Sequence, residues 1–232
     1  MDVHDTGGKG TPIVFLHAAT GHGGMWRHQL PAFTAAGYRC VAFDRSADGF
    51  AAEQVGEVAA KLNLERFHLV GTAAGAIIAV DYALSHAERV RSLVVANSIV
   101  GVQDPDYLDL SARLRPSPQF DKLPADFREL GPSYRAENAA GTKRWGELAH
   151  AKPRIAYTVK NRITWAALET IKVPTLLLTG DADLYMPPSV LRLFAKRFAR
   201  CESIVLPECG HSAYWEQPEA FNRAVLEFLR KN

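Results

Sequence analysis

Short apolar runs alternate with amphipathic stretches along most of this chain. PIVFLH (12–17) lies between Gly-Thr-Pro and Ala-Ala-Thr-Gly, which predicts a short buried strand. Met25 to Ala36 then reads as a helix ended by Gly37, and RCVAFD (39–44) as the next strand. AAEQVGEVAAKLNL (51–64) has helical spacing, with Val55, Val58 and Leu62 on one face. FHLVG (67–71) predicts a strand, Ala74 to Ser85 a helix, and RSLVVANS (91–98) another strand. The pattern resumes with a strand in VPTLLLTG (173–180), a helix at 189–198, a strand in SIVLP (203–207) and a helix at 218–229.

Six strand–helix alternations with short links predict an α/β fold: a mainly parallel, doubly wound sheet with helices on both faces. In such sheets ligands sit at the carboxyl ends of the strands. The candidate positions are therefore 17–21, 44–48, 72–74, 97–98, 180–183 and 209–212. The alternation breaks at 102–168, a stretch with Pro105, Pro116, Pro118, Pro124, Pro132 and Pro153 and scattered aromatics. It is too long for a plain loop and reads as an inserted helical lid. The expected organisation is a core of 1–101 and 169–232 interrupted by a lid of 102–168.

Composition changes this picture little. The 232 residues suit one domain with an insertion, and 47% hydrophobic with 22% charged residues is ordinary for a globular protein. A net charge of +2 argues against a nucleic-acid partner. No apolar run of membrane-spanning length and no signal-like N-terminus occur, so no membrane association and a cytoplasmic location are expected. Cys40, Cys201 and Cys209 make neither a disulfide framework nor a metal pattern. Without a phosphate-binding glycine loop or metal-ligand spacing, no cofactor and no metal are expected. The oligomeric state is left open.

Four motifs carry a resemblance to the α/β-hydrolase superfamily: VFLHAATG, HLVGTAAGA, TLLLTGDADLYMPP and LPECGHSAYWEQPEAFNRAVLEFL. They follow the family's chain order and cover nearly the whole chain. The resemblance implies esterase, lactonase or C–C hydrolase chemistry on a small-molecule substrate. It implies a catalytic acid at Asp183, a catalytic histidine at His211, and oxyanion N–H groups at Ala74 and Ala19; spacing alone also allows Ala18. The family's Gly-x-Ser-x-Gly elbow reads Gly71-Thr72-Ala73-Ala74-Gly75 here, so Ala73 occupies the nucleophile position.

Three explanations for Ala73 stand: an engineered Ser→Ala knockout, a native site using water or non-covalent chemistry, or an inactive ligand-binding, receptor-like relative. Thr72 and Cys209 do not replace the missing nucleophile. His17 and Asp44 read as structural. His22, Trp145, Trp165 and Arg162 are candidate substrate contacts, and Tyr134 and Tyr157 candidate pocket or lid-core residues. Over 113–162, eleven Lys/Arg face five Asp/Glu. Arg113, Arg115, Arg135 and Arg154 join Arg162 as candidate anion contacts or as a solvated surface.

Overall fold

The computed structural model describes residues 2–115 and 119–232; Pro116 and Pro118 lie outside the described residues. Seven strands form one sheet: β1 Val3–Asp5, β2 Pro12–Leu16, β3 Arg39–Phe43, β4 Phe67–Thr72, β5 Val90–Ala96, β6 Thr175–Gly180 and β7 Cys201–Leu206. Their spatial order is β1-β3-β2-β4-β5-β6-β7. Every pairing is parallel except β1 with β3. The five inner strands are apolar and buried almost throughout because both faces of the sheet are covered there. Val14, Leu69 and Leu177 pack into one layer with the helices Ala51–Lys61 and Ala74–Ser85. Phe15, Val70 and Leu178 pack into the other, with Trp26, Phe33 and the helix Pro218–Arg230.

The six strands expected from the sequence form, with ends shifted by a residue or two. Two local readings are corrected. The antiparallel edge strand β1 went unread. It is only three residues long and two of them are exposed, so no periodicity marks it. The helix expected over Met25–Ala36 is broken into a 3-10 turn, Gly23–Trp26, and a helix, Gln29–Ala35. Pro31 supplies the reason: continuous helix from Met25 would need an N–H at residue 31 to reach Arg27, and proline has none.

Between β5 and β6 the chain forms short helices: Pro105–Leu114, Ala125–Glu129, Pro132–Glu137, Ala139–Ala149 and Trp165–Thr170. They do not form a separate core. Tyr107 and Trp165 pack edge-on or tilted against Phe194 in the helix that follows β6. Trp145 and Leu130 join Trp215 and Tyr214 in the layer under the C-terminal helix. Among the described residues no helix is long and apolar enough to cross a membrane.

Candidate active site

The turn after β4 is tightly constrained. Ala73 has φ 48° and ψ −116°, outside the ordinary regions for an L-residue. Its N–H bonds the Ala96 carbonyl at 2.9 Å, and the Ser98 hydroxyl donates to its carbonyl at 2.8 Å. The flanking glycines permit the turn. A Cβ on Gly75 would lie 2.1 Å from the Leu16 carbonyl oxygen, and one on Gly71 would lie 2.5 Å from the Gly75 carbonyl oxygen. Helix Ala74–Ser85 starts immediately, so the Ala74 N–H is a first-turn donor with no helical acceptor.

Two further loops meet this turn. Asp183 follows β6 and His211 follows β7. Their backbones are stitched together by Ala182 N–H to Cys209 O (2.9 Å) and Asp181 N–H to Leu206 O (3.0 Å). A Cβ at Gly180 would fall 1.9 Å from the Cys209 carbonyl oxygen, so glycine is required for this approach. His211 Nδ1 lies 2.9 Å from both Asp183 carboxylate oxygens. Asp183 also accepts from the Tyr185 and Met186 N–H groups (2.8 and 2.9 Å), the Thr179 hydroxyl (3.0 Å) and Asn97 Nδ2 (3.0 Å). Asn97 also donates to Gly210 O at 3.1 Å, so it ties the acid to the histidine loop.

Both partners are buried. Burial alone would raise the Asp183 pKa, but the His211 charge and the converging donors outweigh it and hold the carboxyl below its ordinary value. Burial alone would lower the His211 pKa, but the Asp183 charge and hydrogen bond outweigh it and raise the imidazole above 6.5. With Nδ1 held by the carboxylate, Nε2 is the nitrogen left for chemistry. Tyr185 lies against the imidazole, ring centres 4.4 Å apart.

A cavity of about 230 Å³ joins these elements. Ala73, Ala74 and His211 line it, as do Ala18, Ala19 and Thr20 from the loop after β2. Arg45 sets that loop. Its guanidinium is buried and donates to the carbonyls of His17 and Ala18. Burial lowers its pKa to about 10. His17 is structural as expected: Nδ1 contacts the Ala18 carbonyl at 2.7 Å, and burial with the nearby Arg45 charge lowers its pKa to about 3. Asp44 accepts from Gly23 N–H at 2.6 Å and pairs with Lys152. Cys209 is buried and its thiol pKa is pushed up by burial.

The structure assembles Asp183, His211, Ala73, Ala74 and Ala19 but places the other candidates elsewhere. None of His22, Trp145, Trp165 and Arg162 lines the cavity. His22 caps its own turn by accepting from Gly24 N–H at 3.1 Å. Trp145 is core. Trp165 is core too, its indole N–H directed at Asp106 (3.2 Å). Arg162 points to solvent. Of the other aromatic and basic candidates, Tyr157, Arg115 and Arg154 reach the cavity. Arg113 pairs with Asp109, and Arg135 lies over Phe127. Arg45, Arg128, Glu129 and Tyr185 were missed. One contact of each that helps place it here spans 27 to 109 positions of sequence, and no local motif encodes these contacts.

Comparison with known proteins agrees with this architecture. The sequence profile described as "Alpha/beta hydrolase family" matches residues 13–224. A 2-hydroxy-6-oxononadienedioate/2-hydroxy-6-oxononatrienedioate hydrolase of Burkholderia vietnamiensis is 29% identical, over 98% of this chain and 90% of its own. A thermophilic esterase from Thermogutta terrifontis superposes with a TM-score of 0.82 at 22% identity, covering 99% of this chain and 93% of that one. A serine-to-alanine variant of a meta-cleavage product hydrolase from Pseudomonas fluorescens superposes with a TM-score of 0.68 at 22% identity, covering 99% and 94%. At such identities the structural likenesses speak for the fold. The profile match over most of the chain establishes the rest: this protein belongs to the alpha/beta hydrolase family.

Proposed function

We propose that this protein hydrolyses a small to medium carbonyl compound, an ester, lactone or C–C bond next to a carbonyl, by using His211 to activate water. The observation that carries the reading is the buried His211–Asp183 pair, 2.9 Å apart, with His211 on the same cavity as Ala73 and Ala74. A methyl at residue 73 removes the hydroxyl nucleophile and leaves room for water above it. His211 Nε2 takes a proton from that water as its oxygen bonds the carbonyl carbon. The carbonyl π pair moves to oxygen, where the N–H groups of Ala74 and Ala19 receive it. When the tetrahedral adduct collapses, the leaving group departs with the proton from His211. Asp183 holds the imidazole tautomer and stabilises the cation that forms transiently.

The 102–168 segment acts as the lid in this reading, since it supplies the cavity's far wall through Asp121, Arg128, Glu129 and Tyr157. Arg115, Arg128 and Arg154 on that wall favour a substrate carrying a carboxylate. Relatives named as hydrolases of oxo-dicarboxylates support the same class. Turnover of p-nitrophenyl acetate by the unchanged chain and by His211→Ala tests the proposal. Slow hydrolysis that disappears in His211→Ala is expected. Equal rates in the two would refute it. Ligand binding without turnover is the competing reading, favoured by the methyl at residue 73, and the same comparison separates the two.

A further inference from the structure

Two buried glutamates flank the histidine loop, and they are satisfied very differently. Glu216 accepts three backbone N–H bonds: from Gly131 (2.7 Å), Gly210 (2.9 Å) and Ser212 (3.0 Å). It staples the segment after Glu129 onto the loop that carries His211. The staple is tight, because a Cβ on Gly210 would lie 2.3 Å from the Gly131 nitrogen. Glu129 is thereby fixed on the cavity wall with His211, at the end of the helix Ala125–Glu129.

Glu129 itself is 8% exposed, and its carboxyl has one hydrogen-bond partner among the described residues, the Thr20 hydroxyl at 3.3 Å. Its sequence neighbour Arg128 turns away to the Tyr185 hydroxyl and the Leu123 carbonyl. A carboxylate so buried and so thinly supported is costly unless it carries a proton or serves a ligand. Thr20 directly follows Ala19, so the Glu129 carboxyl stands beside the loop whose N–H is to receive the oxyanion.

We propose that the Glu129 carboxyl is a third donor to the substrate oxygen that the Ala74 and Ala19 N–H groups hold. This rests on the hydrolytic reading above. As water's oxygen adds to the carbonyl carbon and its proton passes to His211, the π pair moves to oxygen. The Glu129 O–H shortens its hydrogen bond to that oxygen and keeps its proton. Collapse returns the electron pair, and the leaving group takes the proton from His211. A neutral carboxylic acid is suited to this task because it donates without adding charge.

Burial raises the Glu129 pKa, opposed by the charges of His211 and Arg128 and by the Thr20 hydrogen bond; Asp183 pushes it further up. The phenols of Tyr185 and Tyr214 also face it. The two charges act on each other, so Glu129 and His211 titrate as a pair, and the proposal places the one proton of the working state on Glu129. Gain of a second proton silences His211 as a base, and loss of the shared one silences the donor, so the activity profile is bell-shaped.

Glu129→Ala and Glu129→Gln test this, with p-nitrophenyl acetate turnover against pH and equilibrium binding of p-nitrophenolate, an oxyanion probe. Glu129→Ala is expected to lower kcat about 100-fold or more with KM within roughly threefold, and to weaken p-nitrophenolate about tenfold. Glu129→Gln keeps an N–H donor, so its kcat stays within about tenfold. It also loses the high-pH decline that the unchanged chain shows in turnover and in probe binding, and that loss is readable even if Glu129→Ala fails to fold. A bell retained in Glu129→Gln, or unaltered kcat and probe affinity in Glu129→Ala, overturns the proposal. If the unchanged chain binds the probe without turnover, weaker binding in Glu129→Ala upholds Glu129 and sinks the hydrolytic reading. If the unchanged chain does not bind the probe, Glu129 is not an oxyanion donor.

Discussion

Residue 73 is where this chain departs from the Gly-x-Ser-x-Gly elbow, and its backbone conformation is unusual. The conformation at φ 48° costs roughly 1–3 kcal/mol for any residue with a Cβ. Serine would pay no more than alanine does. The thermal midpoints of the unchanged chain and Ala73→Ser are therefore expected to coincide within about 1 kcal/mol of stability. The neighbouring pair makes a second prediction. Asp183 raises the His211 pKa, so Asp183→Asn should lower it, as read by NMR titration of the imidazole. The pair also links stability to pH. Asp183, depressed, contributes stability above its unfolded pKa, and this is lost as pH falls through the folded value. His211, raised, contributes below its unfolded pKa, and this is lost as pH rises through the folded value. The proposed mechanism makes His211 the base, so on the acid limb turnover should climb as pH rises through that raised value.

At the scale of elements, close backbone approaches decide what is replaceable. Gly75 and Gly180 each sit where an added Cβ meets a backbone carbonyl, at 2.1 and 1.9 Å. Gly75→Ala and Gly180→Ala should each cost about 2–4 kcal/mol in denaturant unfolding. Gly146, inside the helix Ala139–Ala149, has nothing within 4 Å, so Gly146→Ala should gain about 0.5–1 kcal/mol. The elbow and the acid and histidine loops were legible in the sequence because each is a local strand–turn–helix or turn motif. The buried strands were legible because their apolar runs end in turn residues. β1 and the break at Pro31 were harder, since one is too short to show a period and the other overrides one. Trp145 and Trp165 misled because an aromatic in an irregular segment looks the same whether it faces a ligand or a neighbour. Only packing on Phe194, Tyr214 and Trp215 decides.

For the whole molecule, the proposed function depends on joining the 102–168 segment to the rest of the fold. Glu216 makes one such join, 85 positions away from Gly131, and Asp81 makes another by accepting from the N–H groups of Lys160 and Asn161. Glu216→Ala removes the acceptor of three buried N–H groups and should destabilise the fold by about 3 kcal/mol or more. Arg45, Glu129 and Glu216 share the property that hid them in the sequence: each works through a partner brought near only by tertiary folding. The same assembly brings His211, held by Asp183, and the loop after β2 to one cavity with residue 73. Intact-mass measurement of Ala73→Ser after exposure to p-nitrophenyl acetate tests that most directly. An acetyl adduct at residue 73, forming quickly only when His211 is present, is the predicted result. Absence of both an adduct at residue 73 and any gain in p-nitrophenolate release over the unchanged chain, or equal acetylation in Ala73→Ser carrying His211→Ala, would contradict it.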